Sequence, residues 1–362
     1  MRILHILESL DCGGMERMVI ELGVSQRSKG HEVRVACLFE PGDLAGEACS
    51  RGLLVTAFHR AQRRSFSVLL RLISYVCNYY PHVVLTHNGG VHAYGAIAAR
   101  LTGVPFVVNV RHSPTSSAGL PFNERRFRAT LPITDLSVCV SQHTADTLIK
   151  QGILKPDQTQ VIRNGVDTTS FLGSPATPGA STPRFLIGAL GRLVPVKQYE
   201  FLLEAFAVLL KRISTIELHI AGTGPLRSSL ERVAGRLNIT AQTHFLGQVN
   251  AVEFLRTLDL FVCCSSSEGL PVSVLEAMAA GLPIVSRALP GVQEAAPADS
   301  VAWYADTADP IVFAGVVHEA LSSGELAIRG GRARSIARDR FDIRTTCENY
   351  ERLLAALPAC RG

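Results

Sequence analysis

What this 362-residue sequence lacks narrows what the chain can be. Charges interrupt every apolar run before the roughly 18 to 20 residues that would cross a bilayer. MRILHIL is too short for a signal-peptide core before Glu8 ends it, so a cytoplasmic protein is expected. The nine cysteines show neither CxxC nor Cys/His ligand spacing. Buried, reduced thiols are therefore expected, and a metal centre is not. No Walker A lysine motif, complete GxGxxG, internal repeat, heptad array or long charge block is present, which removes P-loop chemistry, solenoids and coiled coils from consideration. Charged residues are sparse at 19% against 47% hydrophobic, a balance that suits packed α/β domains and argues against disorder.

The formal charge of +5 is unevenly placed. From Met1 to Ser170 there are 18 basic and 13 acidic residues, and from Phe171 onward 18 of each. So small an excess gives no indication of nucleic acid; a phosphate-bearing lipid or an anionic membrane face suits it, as does an ordinary solvated surface.

Short β-branched runs alternate with amphipathic segments along the whole chain. RILHIL, EVRVACL, LLVTAF, HVVLTH, FVVNVRH, LSVCVS and QVIRN come first; RFLIGALG, IELHIAG, THFLG, LFVCCSS, LPIVSR and VAWYA follow. Such βαβ alternation predicts parallel sheets with helices on both faces. The pattern pauses where Ser, Thr, Pro, Gly and Ala gather after residue 170. This places one Rossmann-like domain at 1–170, a linker at 171–184 and a second such domain at 185–341. Residues 342–357 read as a final helix with Ile343, Tyr350, Leu353, Leu354 and Leu357 near one face, able to pack back on the first domain. Two doubly wound domains facing across a cleft would hold a ligand beyond the carboxyl ends of their strands.

Several segments at predicted strand ends carry chemistry. Glu268-Gly269-Leu270-Pro271 opens a helix that Gly281 and Pro283 stop near Ala280. The free N–H groups around Gly269 and Leu270 form an expected anion site. Glu276 lies six residues beyond Leu270, roughly 9 Å along a helix, and suits hydroxyls rather than phosphate. Taken alone, the same two glutamates read equally as a helix cap and a solvated helix residue. Gly191 to Lys197, GRLVPVK, follows the first strand of the second half and brings Arg192 and Lys197 to its carboxyl end, where two cations suit a departing diphosphate. In the first half Gly13 and Gly14 permit a tight turn against a ligand, and His87 and His112 end strands on the same sheet edge.

In their joint order these segments resemble the GT-B retaining glycosyltransferases of family 4. GGMER at 13–17, CVSQHTADTL at 139–148, VIRNGVDTTSF at 161–171, GRLVPVK, HIAGTGPLR at 219–227, FLG at 245–247 and EGLPVSVLEAMAAGLP at 268–283 carry the resemblance over nearly the whole chain. It implies a first domain on the acceptor side and a second that binds a UDP- or GDP-sugar. Arg192 and Lys197 are then donor diphosphate ligands, Glu276 the partner of the ribose diol, and Glu268 with Gly269 and Leu270 contacts of donor sugar and phosphates. His112 stands beside the transferring sugar, Gly13 and Gly14 near donor phosphate and acceptor, and Gly247 near the base. Arg192, Lys197, Glu268 and His112 make up the implied catalytic set, with no metal and no cofactor. The implied acceptor is a glycan or a polyprenyl-phosphate-linked glycan of bacterial cell-surface polysaccharide synthesis.

Val196 and Gln198 depart from the family pattern, where an acidic residue and a glycine are common, and ALPGVQE lacks the paired glycine that usually precedes Glu294. A nucleotide-sugar epimerase, a phosphorylase and a non-catalytic sugar-nucleotide binder use the same architecture and stay open. Peripheral contact with an anionic membrane is a further expectation. It rests on the apolar face of 63–80, formed by Phe66, Leu69, Leu70, Ile73, Val76 and Tyr80, and on PFNERRFR at 121–128; a crossover helix packed on its sheet explains the first segment equally.

Overall fold

A computed structural model describes residues 1–59, 66–114, 122–172 and 184–357 of the chain. The residues expected to form the linker, save 171, 172 and 184, lie outside the described set, as do Arg63, Arg64 and Pro121. The chain divides into two compact units, one of Met1–Asn164 with Ile343–Gly362 and one of Gly165–Asp342. Residues 165–171 thus belong with the second unit. The Val166 N–H donates to the Phe341 carbonyl at 2.8 Å, and Thr168 hydrogen bonds to the buried Asp342 carboxylate. A clasp of backbone and side chain therefore joins the two places where the chain enters and leaves that unit.

Among the described residues, thirteen strands form two wholly parallel sheets. β1 (Arg2–Leu7), β2 (Glu32–Cys37), β3 (Leu54–Ala57), β4 (Val83–His87), β5 (Phe106–Arg111), β6 (Leu136–Cys139) and β7 (Thr159–Val161) make a seven-stranded sheet in the order β3-β2-β1-β4-β5-β6-β7. β8 (Phe185–Leu190), β9 (Ile216–Ala221), β10 (Thr243–Gly247), β11 (Leu260–Cys263), β12 (Ile284–Arg287) and β13 (Ala302–Ala305) make a six-stranded one, β10-β9-β8-β11-β12-β13. Each inner strand is buried on both faces, which is why the runs read as almost continuously apolar: β4 (VVLTH) has no exposed residue at all. In both sheets the strand order reverses beside the first strand, between β1 and β4 and between β8 and β11. Such a switch point leaves a crevice at the carboxyl ends of the strands.

The helix Phe66–Tyr79 buries Val68, Leu72, Val76 and Tyr79 against the first sheet. Its inward face is thus offset from the apolar face read from the sequence. Leu69 and Ile73 are only partly buried, while Phe66 and Leu70 are 73% and 51% exposed. The final helix, Ile343–Ala356, packs on the helix Gly14–Ser28 of the first unit. Its Glu351 pairs with His31 at 3.0 Å. Most described cysteines are buried, but Cys49 and Cys77 are exposed, so burial does not account for every thiol.

Candidate functional site

In the second unit, the loops that follow β8 and β11 converge at the switch point. Lys197 Nζ donates to Glu268 Oε1 at 2.7 Å, and the Ser265 hydroxyl donates to the same oxygen at 2.6 Å. Both side chains are mostly covered, Lys197 being 22% exposed and Glu268 14%. Burial opposes the lysine charge, but the facing carboxylate outweighs it and holds the Lys197 pKa above the usual lysine range. Lys197 is therefore a protonated cation whose position is fixed by Glu268. The two residues foreseen as separate ligand contacts form one unit. Glu268 is also not the helix cap: the N-cap of Val272–Ala280 is Pro271, with no side-chain cap hydrogen bond.

Backbone contacts hold the same loops. The Ser266 N–H donates to the Val196 carbonyl at 2.8 Å, tying the loop after β11 to the loop after β8. Gln198 occupies a left-handed conformation, φ 53° and ψ 42°, where glycine would sit without strain. Its side-chain amide donates back to the Pro195 carbonyl at 2.8 Å and retains the turn. This is how the loop accommodates the departure from glycine. Gly222, with φ 134°, lies so close to Gly191 that a Cβ would strike the Gly191 carbonyl. Its role is backbone packing behind the Arg192 loop. Gly291 plays the same part behind the carbonyls of Glu268 and Gly269, so the single glycine of PGVQE is fixed by close approach.

Arg192 is exposed on its loop, and Gly269 and Leu270 are buried beneath theirs. The helix Val272–Ala280 buries Val274, Leu275 and Ala277–Ala280, which leaves Val272, Ser273 and Glu276 on its outward side. Gly281 closes the helix with φ 84°. Gly247 ends β10 with φ 71°, and its carbonyl accepts from the Gly222 N–H at 2.7 Å. Among the described residues one group has metal-ligand proximity: Glu217, His219 and His244, on β9 and β10. Glu217 there is already paired with Arg184.

The first unit brings together a different constellation, from inside β1 and from the carboxyl ends of β4 and β5. His5 Nδ1 lies 3.1 Å from His87 Nε2, and His87 Nδ1 lies 3.2 Å from His112 Nε2. Burial, then the charge of Arg111, pushes His112 down to about 3, so the ring is neutral at physiological pH. Asn88 holds it from behind, its Oδ1 accepting from the His112 backbone N–H at 3.1 Å. Asn88 itself has φ 67° and ψ 170°, a region occupied almost only by glycine. Neither Asn88 nor Ser265 was foreseen. The neighbouring Gly-Gly at 89–90 and the Ser-Ser-Ser of 265–267 were the available signals, and neither says which residue turns inward.

Gly13 departs from the expected tight turn. Its backbone is extended, φ −168° and ψ 162°, at the N-cap of Gly14–Ser28. The Glu16 carboxylate folds back over it into the space of a Cβ, so a larger residue here would have to displace that side chain. Gly14 is the first helical residue.

Two doubly wound units, the second with cations and a carboxylate at its switch point, are the architecture of a GT-B protein. The family described as "Glycosyltransferase Family 4" matches residues 12–170, and "Glycosyl transferases group 1" matches residues 175–334. The chain belongs to the family 4 glycosyltransferases. The putative glycosyltransferase EpsF of Bacillus subtilis (strain 168) is 29% identical over 300 residues, covering 78% of each chain. The UDP-Gal:alpha-D-GlcNAc-diphosphoundecaprenol alpha-1,3-galactosyltransferase of Escherichia coli is 30% identical over 222 residues, 56% of this chain and 57% of that one. Among solved structures, Anabaena HepE in complex with UDP and glucose superposes with a TM-score of 0.86 at 20% identity, over 99% of this chain and all of that one.

Proposed function

We propose that this glycosyltransferase moves a sugar from a UDP- or GDP-sugar to a glycan or polyprenyl-phosphate-linked acceptor, with retention of anomeric configuration, in bacterial cell-surface polysaccharide synthesis. The observation that carries the reading is the Lys197–Glu268 pair at the end of β8 and β11. It keeps an ammonium charged and oriented where a diphosphate leaving group would develop negative charge. Arg192, exposed on the same loop, supplies the second cation, and neither a metal nor a cofactor is required in this reading. Backbone N–H groups at Gly269 and Leu270 take phosphate oxygens, Glu276 the ribose hydroxyls, and Gly247 the edge of the base. Glu268 turns from Lys197 toward the donor sugar once phosphate oxygens share the ammonium.

In the first unit His112 is assigned to the transferring sugar and the Gly13–Gly14 segment to donor phosphate and acceptor. A neutral ring of such low basicity serves as a hydrogen-bond partner rather than a proton store. The structural relative HepE was solved with UDP-glucose, and the Escherichia coli relative by its name acts on a diphosphoundecaprenol-linked sugar; both support the donor and acceptor classes. In this reading the enzyme is cytoplasmic and meets the inner membrane peripherally, and the exposed Phe66 and Leu70 support such a contact.

The test is a panel of nucleotide sugars. The donor should raise thermal stability, by about 2.7 kcal/mol at a hundredfold excess over its Kd. Lys197→Ala and Glu276→Ala should each abolish that stabilisation while remaining folded. Free nucleotide should appear only when acceptor is added. Normal donor affinity in both variants refutes the site assignment, and an isomerised donor without acceptor refutes transfer.

A further inference from the structure

His5, inside β1, and His87 and His112, at the carboxyl ends of β4 and β5, form a continuous hydrogen-bonded series whose inner end is Gln26 of the helix Gly14–Ser28. His5 Nε2 is 2.8 Å from Gln26 Oε1, His5 Nδ1 is 3.1 Å from His87 Nε2, and His87 Nδ1 is 3.2 Å from His112 Nε2. The His5 and His87 rings are nearly coplanar, their centroids 5.3 Å apart at 19°, and those of His87 and His112 are 5.4 Å apart at 35°. His112 Nδ1, at the outer end, is buried and has no hydrogen-bond partner among the described residues.

A neutral imidazole donates from one nitrogen and accepts at the other. In a series each ring therefore dictates the tautomer of the next, and reversing one requires reversing all. With the Gln26 amide turned so that Oε1 faces His5, that oxygen accepts and His5 carries its proton on Nε2. His5 Nδ1 then accepts from His87 Nε2–H, and His87 Nδ1 accepts from His112 Nε2–H. Nothing is left on His112 Nδ1 except a lone pair.

We infer that Gln26, His5 and His87 are positioning residues that set the tautomer of His112, so that its buried Nδ1 meets a ligand hydroxyl as an obligate hydrogen-bond acceptor. The inference rests on the assignment of His112 to the transferring sugar, and it adds three residues that do not touch the ligand. It gives the orphan nitrogen a partner, since a hydroxyl donor fills the one vacancy in the series. It also excludes His112 Nδ1 as a hydrogen-bond donor in the resting enzyme. The burial that holds all three rings neutral supports the series, because a protonated ring would place two N–H groups head to head.

The experiment is long-range nitrogen-proton NMR on the full chain labelled with nitrogen-15 histidine, in wild type, Gln26→Leu and Gln26→Glu. In wild type His5, His87 and His112 should all carry protons on Nε2 only. A carboxylate at position 26 only accepts and should preserve that pattern, whereas leucine removes the anchor and should give mixed tautomers at His112. Turnover should fall about tenfold in Gln26→Leu, the effect of one hydrogen bond, with donor KM little changed and recovery in Gln26→Glu. Mixed tautomers or Nδ1–H in wild type would overturn the inference whether or not the leucine variant folds. Full activity of Gln26→Leu would overturn it too. If wild type transfers no sugar yet shows the ordered pattern, the series stands and the reading of the transferring sugar fails.

Discussion

Lowering the pH from 7 to 5 should unfold the first unit before its ordinary carboxylates titrate. His5, His87, His92 and His112 are all held neutral there, chiefly by burial: His5 is pushed down to about 4, His92 and His112 to about 3, and His87 well below its ordinary value. The unfolded chain titrates these rings near pH 6.5, so below that pH the unfolded state binds more protons than the folded one. A depressed histidine pKa thus contributes stability that is fully present above about 6.5 and is lost as pH falls toward the folded values. At pH 5 the solution is about 1.5 units below the unfolded pKa of His5, His92 and His112, which costs about 2 kcal/mol each, or roughly 6 kcal/mol for the three, and His87 acts in the same direction. That matches the whole stability of a typical domain, on the order of 5–15 kcal/mol.

The assay is urea unfolding at half-unit steps of pH, followed by two probes. Far-ultraviolet circular dichroism reports both units, while fluorescence of the one tryptophan, Trp303 on β13, reports the second. Dichroism should show an acid-sensitive transition that fluorescence does not share. His92→Asn, which lies outside the three-histidine series, should reduce the slope by about 1.36 kcal/mol per pH unit. A transition midpoint that stays flat from pH 7 to 5, or acid loss confined to the tryptophan signal, would refute the reasoning.

A double-mutant cycle of Lys197→Ala and Glu268→Gln should give a coupling of about 1–3 kcal/mol, between the values for exposed and fully buried pairs, and additive effects would show that the pair is not coupled. Because the Lys197 pKa is raised, this contribution should hold from neutral pH up to about 10 and disappear as pH rises through the folded lysine value. Flotation with anionic liposomes at low salt should carry the protein upward, and Phe66→Ser with Leu70→Ser should leave it in the soluble fraction; equal flotation of the variant would rule out this contact.

All thirteen strands were legible, because runs such as EVRVAC and FVVNVR combine β-branched residues with turn signals at either end. The inward side of Phe66–Tyr79 was not, since a helix apolar around much of its circumference leaves the choice of face to packing. In the candidate site, Arg192 and Lys197 could be placed at a strand end from order alone. The partnership of Lys197 with Glu268 could not, because 71 residues separate them and only the adjacency of β8 and β11 brings them together. Gly13 was read as a tight turn against a ligand, but it is extended, and the space of a Cβ there is taken by the Glu16 carboxylate of its own unit. The histidine series needs three strands in register, and sequence spacing carries no record of that.

The return of Ile343–Ala356 to the helix Gly14–Ser28 also bears on biosynthesis. The surface that receives this last helix is complete once Ser28 has been made, yet its partner begins 315 residues later. At translation rates of about 5–20 residues per second, that surface stays uncovered for on the order of 15 to 60 s, while the whole second unit is synthesised. A stop codon early in Ile343–Ala356 would therefore damage the unit that was made first.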